Sequence, residues 1–416
     1  MITAGRRPNV LSMVLAGGEG KRLMPLTAQR AKPAVPFGGR YRLIDFAISN
    51  LVNSGYRKIV VLTQYKSHSL DVHISRTWSL SSELGNYVTT VPAQMRRGPR
   101  WFMGSLDAIY QNFNLIDDER PENIIVFGAD HIYRIDARQM LDAHLESGFA
   151  ATVAGIRVPK AESDQFGVIT IGSESNKILK FEEKPKEAEG LPDAPDQILA
   201  SMGNYIFSTE MLMDLATDDA GQDQSNHDIG GDLIPALVAR GEAGVYDFTR
   251  NIVPGDTERN QHYWRDVGTL DSYFEANMDL VQPEPIFNLY NPSWPIFSYS
   301  HNLPPAKLVS DYRSGDPSVT NSIVATGCII SGASVMNSVV GSSSHIHHGA
   351  TLENVVLLDD VTVGPGTVLR NCVVDKNVIV PAGVKIGVDS KFDAERFTIS
   401  PNGIAVVPKN TVITPS

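Results

Sequence analysis

The sequence has very little cysteine and no long apolar run. Its 416 residues include two cysteines, Cys328 and Cys372. Two cysteines are too few for a disulfide framework, which favours a reducing compartment, so we expect a cytoplasmic protein. No segment reaches the roughly 18 consecutive apolar residues of a membrane-spanning helix, and we expect no membrane partner.

Positive charge is also scarce. Lys and Arg number 36 against 47 Asp and Glu, which gives a net charge of −11. A surface with this charge repels nucleic acids and anionic membranes, so we expect no nucleic-acid partner. Any anionic ligand must instead meet a local cluster of cations. The hydrophobic content of 42% is that of a folded globular protein, and the length predicts about two or three domains.

Short apolar runs alternate with helical periodicity over the first two thirds of the chain. Strands are predicted at residues 10–16, 58–63, 123–127 and 150–158. Helical faces are predicted at residues 44–51, 106–113 and 140–145, the last with Asp136 as N-cap. This alternation predicts an α/β domain with a mixed or mainly parallel sheet over residues 1–282. The strand-rich region 166–208 is predicted to be an insertion over one edge of that sheet.

Prolines mark a boundary after this domain. Six of them lie among the 23 residues from Pro283 to Pro305, a density that cannot continue a helix or a central strand. We therefore expect a linker over residues 283–310.

A repeat begins beyond the linker. Aliphatic residues recur in triplets spaced six residues apart, and successive triplets begin 17 residues apart. The positions are Ile323, Ile329 and Val335; Val340, Ile346 and Leu352; Leu357, Val363 and Leu369; Val374, Val380 and Ile386. One inward aliphatic side chain on each face of a triangular coil produces this spacing. The pattern resembles the hexapeptide repeats of left-handed parallel β-helices and predicts such a domain over residues 311–416. The alternative is a β-sandwich of short strands, which would lack the six-residue spacing.

A glycine-rich turn, Gly17-Gly18-Glu19-Gly20, follows the first predicted strand. Such turns favour phosphate binding, because backbone N–H groups without a neighbouring Cβ can approach phosphate oxygens closely. The dinucleotide fingerprint fails at Leu23, where it needs glycine, and the Walker pattern fails at Leu15 and Arg22. What remains is G-G-x-G-x-R-L-x-P-L-T, followed by the segment 32–36 (KPAVP). This motif resembles the signature of sugar-phosphate nucleotidyltransferases, which join a nucleoside triphosphate to a sugar 1-phosphate and release pyrophosphate.

Within that superfamily, residues 30–39 and 44–50 are similar to the glucose-1-phosphate adenylyltransferases. Further matches lie at residues 63–65, 128–133, 181–185, 200–203 and 263–269. The resemblance covers nearly the whole chain. It implies a Rossmann-like nucleotidyltransferase domain followed by a left-handed β-helix, assembled as a homotetramer. It also implies transfer of the adenylyl group of ATP to glucose 1-phosphate, the regulated step of bacterial glycogen biosynthesis.

The resemblance implies a set of active-site residues and a Mg²⁺ cofactor. Asp130 and Asp266 are expected to hold the metal; Asp130 follows an apolar strand, where ligands of open α/β sheets bind. Arg22 and Lys32, with Asp130, are expected to be catalytic, because the obstacle is bringing two polyanions together. The residues expected at the nucleotide are Gly17, Gly18, Gln94, Phe102, Gly104 and Ser105. Those expected at glucose 1-phosphate are Gly167, Glu183, Lys184 and Ser201.

The resemblance further implies an effector site where the catalytic domain meets the β-helix. The residues expected there are Arg30, Arg42, Asp360 and Lys376. AMP or phosphate is the expected inhibitor. Relatives activated by fructose 1,6-bisphosphate tend to carry Lys at the position of Gln29, so this chain is expected to respond to fructose 6-phosphate or pyruvate.

Three other functions stay open at this point. The same chemistry could use UTP, dTTP or GTP, or the chain could be a non-catalytic regulatory subunit of the same family. The presence of every expected catalytic cation and metal ligand argues against the regulatory subunit. The histidines His345, His347 and His348 invite an acyltransferase interpretation. However, Ile346 is an inward repeat position, so its neighbours should point outward as ordinary surface residues.

Overall fold

The computed structural model describes residues 8–96, 98, 100–172, 176–311 and 315–414. Among those residues, no helix combines the length and the apolar character that crossing a bilayer requires. The strands of the first part of the chain are β1 (Val10–Ala16), β2 (Pro36–Phe37), β3 (Tyr41–Arg42), β4 (Lys58–Thr63), β5 (Tyr87–Pro92), β6 (Asn123–Gly128), β7 (His131–Tyr133), β8 (Ala151–Pro159), β9 (Gly167–Ile171), β10 (Ile178–Glu183), β11 (Gln197–Ser208), β12 (Ala243–Asp247) and β13 (Trp264–Asp266).

Helices lie between these strands. They are α1 (Leu43–Asn53), α2 (His68–Thr77), α3 (Ser105–Tyr110), α4 (Phe113–Glu119), α5 (Ala137–Ser147), α6 (Thr209–Ala220), α7 (Ile234–Arg240) and α8 (Leu270–Leu280). Short 3-10 turns lie at Lys21–Leu23, Lys32–Ala34, Ser82–Leu84, Lys160–Gln165 and Phe248–Arg250, and a π-helical turn at Ile229–Leu233.

The main sheet is mixed and has the order β10-β9-β11-β6-β1-β4-β5, with β8 and β12 attached beside β11. The central strand β1 is parallel to both of its neighbours, β4 and β6. The chain runs from β1 to β4 and β5 on one side, then returns to β6 on the other. Ligands of open α/β sheets bind at such a reversal, outside the carboxyl ends of the strands. The site is therefore expected beyond the ends of β1 and β6.

The sheet is buried on both faces. Alternate side chains of β1 point to opposite sides, so Val14 lies in one buried cluster with Ile48 of α1, while Met13 lies in another with Ile109 of α3. Helices on both faces explain why the strands of this sheet are apolar without alternation. The predicted α/β fold class is confirmed.

The apolar face predicted over residues 106–113 is confirmed, since Leu106, Ile109 and Phe113 share one buried cluster, but two short helices, α3 and α4, carry it. Between them the side-chain amide of Asn112 donates to the carbonyl of Ala108 at 2.8 Å and competes with the helical pattern. Another local prediction in this domain is wrong. The region 166–208 does not lie over a sheet edge. Its strands β9, β10 and β11 extend the sheet itself, with β11 antiparallel to β6.

The last part of the chain is a stack of short parallel strands, which confirms the predicted β-helix. The strands are β14 (Lys307–Val309), β15 (Ser318–Thr320), β16 (Ile323–Val324), β17 (Ile329–Ser331), β18 (Ser334–Met336), β19 (Val339–Val340), β20 (His345–Ile346), β21 (Thr351–Leu357), β22 (Thr362–Val363), β23 (Val368–Val374), β24 (Ile379–Val380), β25 (Lys385–Ile386), β26 (Thr398–Ile399) and β27 (Ala405–Val407). A short helix, α9 (Ser390–Ala394), precedes β26. The 17-residue period is visible in the pairing of Leu352 with Leu369 and of Leu357 with Val374.

In the first coil, two of the predicted inward positions are wrong by one residue. The buried residue beneath Ile346 is Ile330, whereas the predicted Ile329 is 37% exposed. Likewise Val324, and not the predicted Ile323, pairs with Val340. Both of these steps span 16 residues, and a one-residue shift turns a side chain to the other face of a strand. The remaining predicted positions, from Val335 to Ile386, are buried.

The β-helix packs directly on the catalytic domain. Val339, Val356 and Val373 share one hydrophobic cluster with Phe46 of α1 and Tyr273 of α8. Because this cluster is continuous, the two domains bury a common core at their junction.

Candidate active site

The carboxylates of Asp130 and Asp266 are brought together by a two-stranded antiparallel sheet. Asp130 lies two residues beyond β6, at the carboxyl edge of the main sheet, and β7 follows directly. Strand β13 pairs with β7 so that Asp266 lies opposite His131. This pairing carries an acidic residue from late in the domain to the reversal point beside β1.

Lys32 lies between the two carboxylates. Its ammonium Nζ is 2.7 Å from Asp130 Oδ2 and 3.5 Å from Asp266 Oδ1, and its side chain is buried. Burial by itself lowers the pKa of Lys32, but the two carboxylates outweigh that effect and raise the pKa above its usual value. Burial also opposes the charge of Asp130, yet Lys32 and His131 hold the pKa of that carboxyl well below its usual range. Both partners are therefore ionised at neutral pH.

Arg22 reaches the same place from the glycine-rich turn. A Cβ added to Gly268 would lie 2.9 Å from Arg22 Nη2 and 2.6 Å from Asp266 Oδ2. The guanidinium and the carboxylate thus border one narrow space that glycine leaves open. The structure brings the expected catalytic residues Arg22, Lys32 and Asp130 together with Asp266.

The two carboxylates suit a hard divalent cation such as Mg²⁺. Ionised carboxylate oxygens are the ligands that Mg²⁺ prefers, and it commonly takes one or two of them while keeping waters and substrate phosphates. Within the described ranges, no group of three or more His, Cys, Asp and Glu residues surrounds one point, as a fully protein-bound metal would need. The donor set therefore fits a cation that is shared with a phosphate ligand.

Sequence reasoning missed His131 in this cluster. Its Nε2 lies 3.6 Å from Asp130 Oδ1, and its Nδ1 is buried without a hydrogen-bond partner in the described part of the chain. Trp264 packs against the ring with centroids 4.9 Å apart. The sequence signal for His131 was its position next to Asp130 in the motif at residues 128–133.

The residues expected to bind the sugar phosphate meet at the edge formed by β9 and β10. Glu183 lies opposite Gly167, where a Cβ would come within 3.0 Å of Glu183 Oε2 and 2.4 Å of the Phe181 ring. Lys184 contacts Glu183, and its backbone N–H donates to Phe166 at 3.0 Å.

Ser201 connects this edge to the carboxylates. It lies beside an irregularity in β11, and its Oγ accepts from the N–H of Gly203 at 3.3 Å. A Cβ on Gly203 would lie 3.5 Å from the ring of His131. The expected sugar-phosphate residues are therefore adjacent to the expected metal ligands.

The turn expected to bind the nucleotide is held by a segment that sequence reasoning missed. Ser105 Oγ donates to Asp228 Oδ2 at 2.7 Å and accepts from the N–H of Ile229 at 2.8 Å. Gly104 lies so close to this segment that a Cβ would meet the carbonyl of His227 at 2.2 Å. The sequence signal was weak: Asp228 precedes two glycines and acts as an N-cap for the π-helical turn.

The remaining expected nucleotide residues are dispersed. Gly17 and Gly18 follow β1 at the reversal point, while Gln94 is exposed beyond β5 and accepts a hydrogen bond from Arg96. The ring of Phe102 packs in the core with Leu106 and is not open to a stacking base. Its role, like that of the other site residues, stays a prediction.

An exposed aromatic pair lies next to Phe102. The rings of Tyr65 and Trp101 are stacked with centroids 5.8 Å apart, and half of the Trp101 surface is accessible. Sequence reasoning did not single out this pair.

A second cavity lies between α2 and the β-helix. Its volume is about 410 Å³, and its lining includes all four residues expected at the effector site, Arg30, Arg42, Asp360 and Lys376. Further basic residues in the lining are His68, His73, Arg76, His301 and Lys409. This is the local cluster of cations that an anionic ligand of an acidic protein requires.

The acidic partners in this cavity differ from the expected one. Asp359, the neighbour of Asp360, accepts from Arg42 Nη2 at 3.3 Å and lies 2.5 Å from Lys376 Nζ. Burial and the nearby Arg42 lower the pKa of Lys376 to about 8, although Asp359 opposes the shift. Arg30 pairs with Asp375, and its Nη1 is buried with no hydrogen-bond partner among the described residues.

The histidines of the β-helix form no comparable site. The rings of His345 and His347 flank the inward Ile346 and stack on each other with centroids 4.0 Å apart. His348 Nδ1 lies 3.9 Å from Asp311. These contacts fit half-buried structural residues, and no acyltransferase chemistry is assigned to them.

The family model described as "Nucleotidyl transferase" matches residues 11–283, and the one described as "GlmU-like, C-terminal hexapeptide" matches residues 304–407. The chain belongs to the nucleotidyl transferase family. The two matched ranges correspond to the α/β part of the fold and to the β-helix.

Several curated members of the family resemble the chain over its full length. A protein named glucose-1-phosphate adenylyltransferase from Frankia casuarinae is 56% identical over 98% of this chain and 99% of its own length. Proteins of the same name from Corynebacterium jeikeium and Corynebacterium glutamicum are 56% and 57% identical, over 98% of this chain and 99% and 98% of their own lengths. The resemblance expected from the sequence motifs is thus confirmed.

The space beside Gly268 provides a direct test of the site. In Gly268→Ala the new methyl group must displace Asp266 or Arg22, so we expect kcat to fall by about 10²-fold in a chain that still folds. Pyrophosphate release and circular dichroism measure the two quantities. The matched control is Gly221→Ala at the end of α6, where the nearest atom to the new Cβ is 3.7 Å away. Full activity in Gly268→Ala would contradict the assigned geometry.

Proposed function

We propose that this protein transfers the adenylyl group of ATP to α-D-glucose 1-phosphate, giving ADP-glucose and pyrophosphate for the synthesis of glycogen or a related α-glucan. The observation that carries the proposal is the Lys32 ammonium held between Asp130 and Asp266 at the reversal point of the sheet. The relatives of the same length carry the name of this activity.

The reaction makes limited demands on acid–base groups. The second pKa of a phosphate monoester is about 6, so the attacking oxygen of glucose 1-phosphate is already anionic at neutral pH. A bond forms between this oxygen and the α-phosphorus of ATP, while the bond from that phosphorus to the β-phosphate oxygen breaks. Pyrophosphate leaves with the electron pair of the broken bond. Catalysis therefore depends on positioning and on neutralising charge.

Two cationic side chains and two carboxylates of the chain supply the positioning and the neutralisation of charge. Arg22 and Lys32 are proposed to contact the α-phosphate and the departing pyrophosphate. A Mg²⁺ ion bound by Asp130 and Asp266 supplies further neutralisation of the phosphate charge. Asp130 and Asp266 would hold this cation, and the ammonium of Lys32 beside them would contribute its charge to the phosphate oxygens.

Substrate orientation is proposed for the residues around these charges. Glu183 accepts hydrogen bonds from glucose hydroxyls, Ser201 and Gly167 border the sugar, and Lys184 binds its phosphate. Gly17, Gly18, Gly104 and Ser105 border the nucleotide, with Gln94 at the base. The segment 227–230 lies between the two sets: Asp228 bonds to Ser105, and a Cβ on Gly230 would lie 2.8 Å from Glu183 Oε2.

The nucleotide preference is tested by mixing the protein with Mg²⁺, glucose 1-phosphate and each of ATP, UTP, dTTP and GTP in turn, and following pyrophosphate release. We expect turnover with ATP alone or by far the fastest with ATP. Faster turnover with another triphosphate would overturn the adenylyl assignment. Absence of turnover with all four would favour a non-catalytic regulatory subunit. A reaction without the sugar phosphate controls for simple hydrolysis of the triphosphate.

We further propose that the protein is a cytoplasmic homotetramer regulated through the 410 Å³ cavity. Its cations suit phosphate-bearing metabolites. An activator such as fructose 6-phosphate or pyruvate and an inhibitor such as AMP or phosphate are the proposed ligands. The buried free donor of Arg30 and the cluster of Arg42 and Lys376 support an anion at this place.

The lowered pKa of Lys376 predicts how effector binding depends on pH. Below pH 8 its ammonium is charged, and above pH 8 it loses that charge beside Arg42 and Asp359. Phosphate esters keep a constant charge above their second pKa of about 6. Between pH 7 and pH 9 we therefore expect the half-saturating concentration of fructose 6-phosphate or AMP to rise roughly tenfold, the worth of one charge-assisted hydrogen bond.

The matched variants are Lys376→Gln and Lys385→Gln, the second of which removes an exposed lysine of the β-helix. Lys376→Gln should bind the effector weakly at both pH values. Lys385→Gln should behave as the unmodified protein. A pH dependence that persists unchanged in Lys376→Gln would refute the role of Lys376.

A further inference from the structure

Arg30 and Lys32 extend into two different sites although only Ala31 separates them. Arg30 lines the cavity at the β-helix, whereas Lys32 lies between the carboxylates of the active site. Ala31 between them is 2% exposed and packs in the core of the catalytic domain. The backbone between the two charged side chains is therefore short and tightly packed.

The β-helix holds Arg30 through Asp375. Arg30 Nη2 lies 2.8 Å from Oδ1 and 3.0 Å from Oδ2 of this carboxylate, and both side chains are almost fully buried. Asp375 is itself fixed at the end of β23: its Oδ1 accepts from the N–H of Lys376 at 2.7 Å, and its own N–H donates to Val407 at 3.0 Å. A buried ion pair thus connects a rigid coil of the β-helix to the segment that carries Lys32.

The other end of this segment is also fixed. The 3-10 turn from Lys32 is closed by the N–H of Val35, which donates to the Lys32 carbonyl at 3.0 Å. Beyond it, the hydroxyl of Tyr273 on α8 donates to the carbonyl of Pro36 at 2.5 Å. With Pro36 held in place, a displacement of the Arg30 backbone is taken up by the residues between them, Lys32 included.

We propose that Asp375 is a positioning residue, which acts through Arg30 to hold the Lys32 ammonium where the reaction needs it. The inference rests on the proposed function, because it requires Lys32 to act on the phosphates. In this proposal a residue of the β-helix contributes to the geometry of the active site.

The effect of removing the Asp375 charge follows from the burial of its ion pair with Arg30. When one partner is removed, the other charge remains buried and uncompensated, and it must move to find a new partner. A catalytic group displaced by about 1 Å can lose about 10²-fold in rate. Asp375→Asn keeps the size of the side chain and removes the charge that holds Arg30.

The test compares Asp375→Asn with Asp393→Asn in the full-length protein without effectors. Asp393 is an equally buried carboxylate of the β-helix, and it pairs within that domain with Arg396 at 2.7 Å. We expect both variants to lower Tm, but only Asp375→Asn to lower kcat, by about 10²-fold, with KM for glucose 1-phosphate little changed. Equal kcat in the two variants would overturn the proposal.

A double-mutant cycle separates positioning from general damage. If Asp375 acts through Lys32, then Lys32→Gln and Lys32→Gln/Asp375→Asn should have the same kcat, measured with excess enzyme so that slow turnover is followed. Additive losses in the double variant would refute the proposal. If Lys32→Gln itself kept full activity, the proposed role of Lys32 would fail. If Lys32→Gln lost activity while Asp375→Asn kept it, only the inference would fail.

Discussion

The contact of the Lys32 ammonium with Asp130 and Asp266 is the interaction on which the rest of the structure depends. It exists because the chain reverses its winding between β1 and β6, and because β13 returns to pair with β7. Without that pairing the second carboxylate would not reach the edge of the sheet where the glycine-rich turn ends. The charges also balance each other: the two carboxylates keep Lys32 protonated, and Lys32 keeps the partly buried Asp130 ionised.

Ion pairs between buried cations and carboxylates also define the second cavity. Arg30 is neutralised by Asp375, while Arg42 and Lys376 share Asp359. In a chain with a net charge of −11, cations without such partners would attract any nearby acidic surface. Internal carboxylates fix them in defined positions. The two sites are joined by the short segment 30–36, and the hydrophobic cluster shared by the two domains holds that segment in place.

The sequence was sufficient for features that depend on local pattern. The strands β1, β4 and β6 follow from apolar runs, the cap at Asp136 from its helix, and the β-helix from six-residue spacing. It was insufficient where tertiary contacts decide. Ile330 replaces Ile329 because the first steps of the coil are one residue shorter than the repeat. Asp359, Asp375 and Asp228 were missed because they pair with residues far along the chain, which only the folded topology brings together.

The most direct test of the proposed reaction centre is the single-turnover rate of pyrophosphate release by Asp266→Asn with saturating Mg²⁺, ATP and glucose 1-phosphate. This variant keeps the shape of the side chain and removes one of the two carboxylate charges around Lys32. We expect a fall of at least about 10²-fold in that rate, with ATP binding changed far less. A rate equal to that of the unmodified protein would contradict the assignment of Lys32, Asp130 and Asp266 as the reaction centre.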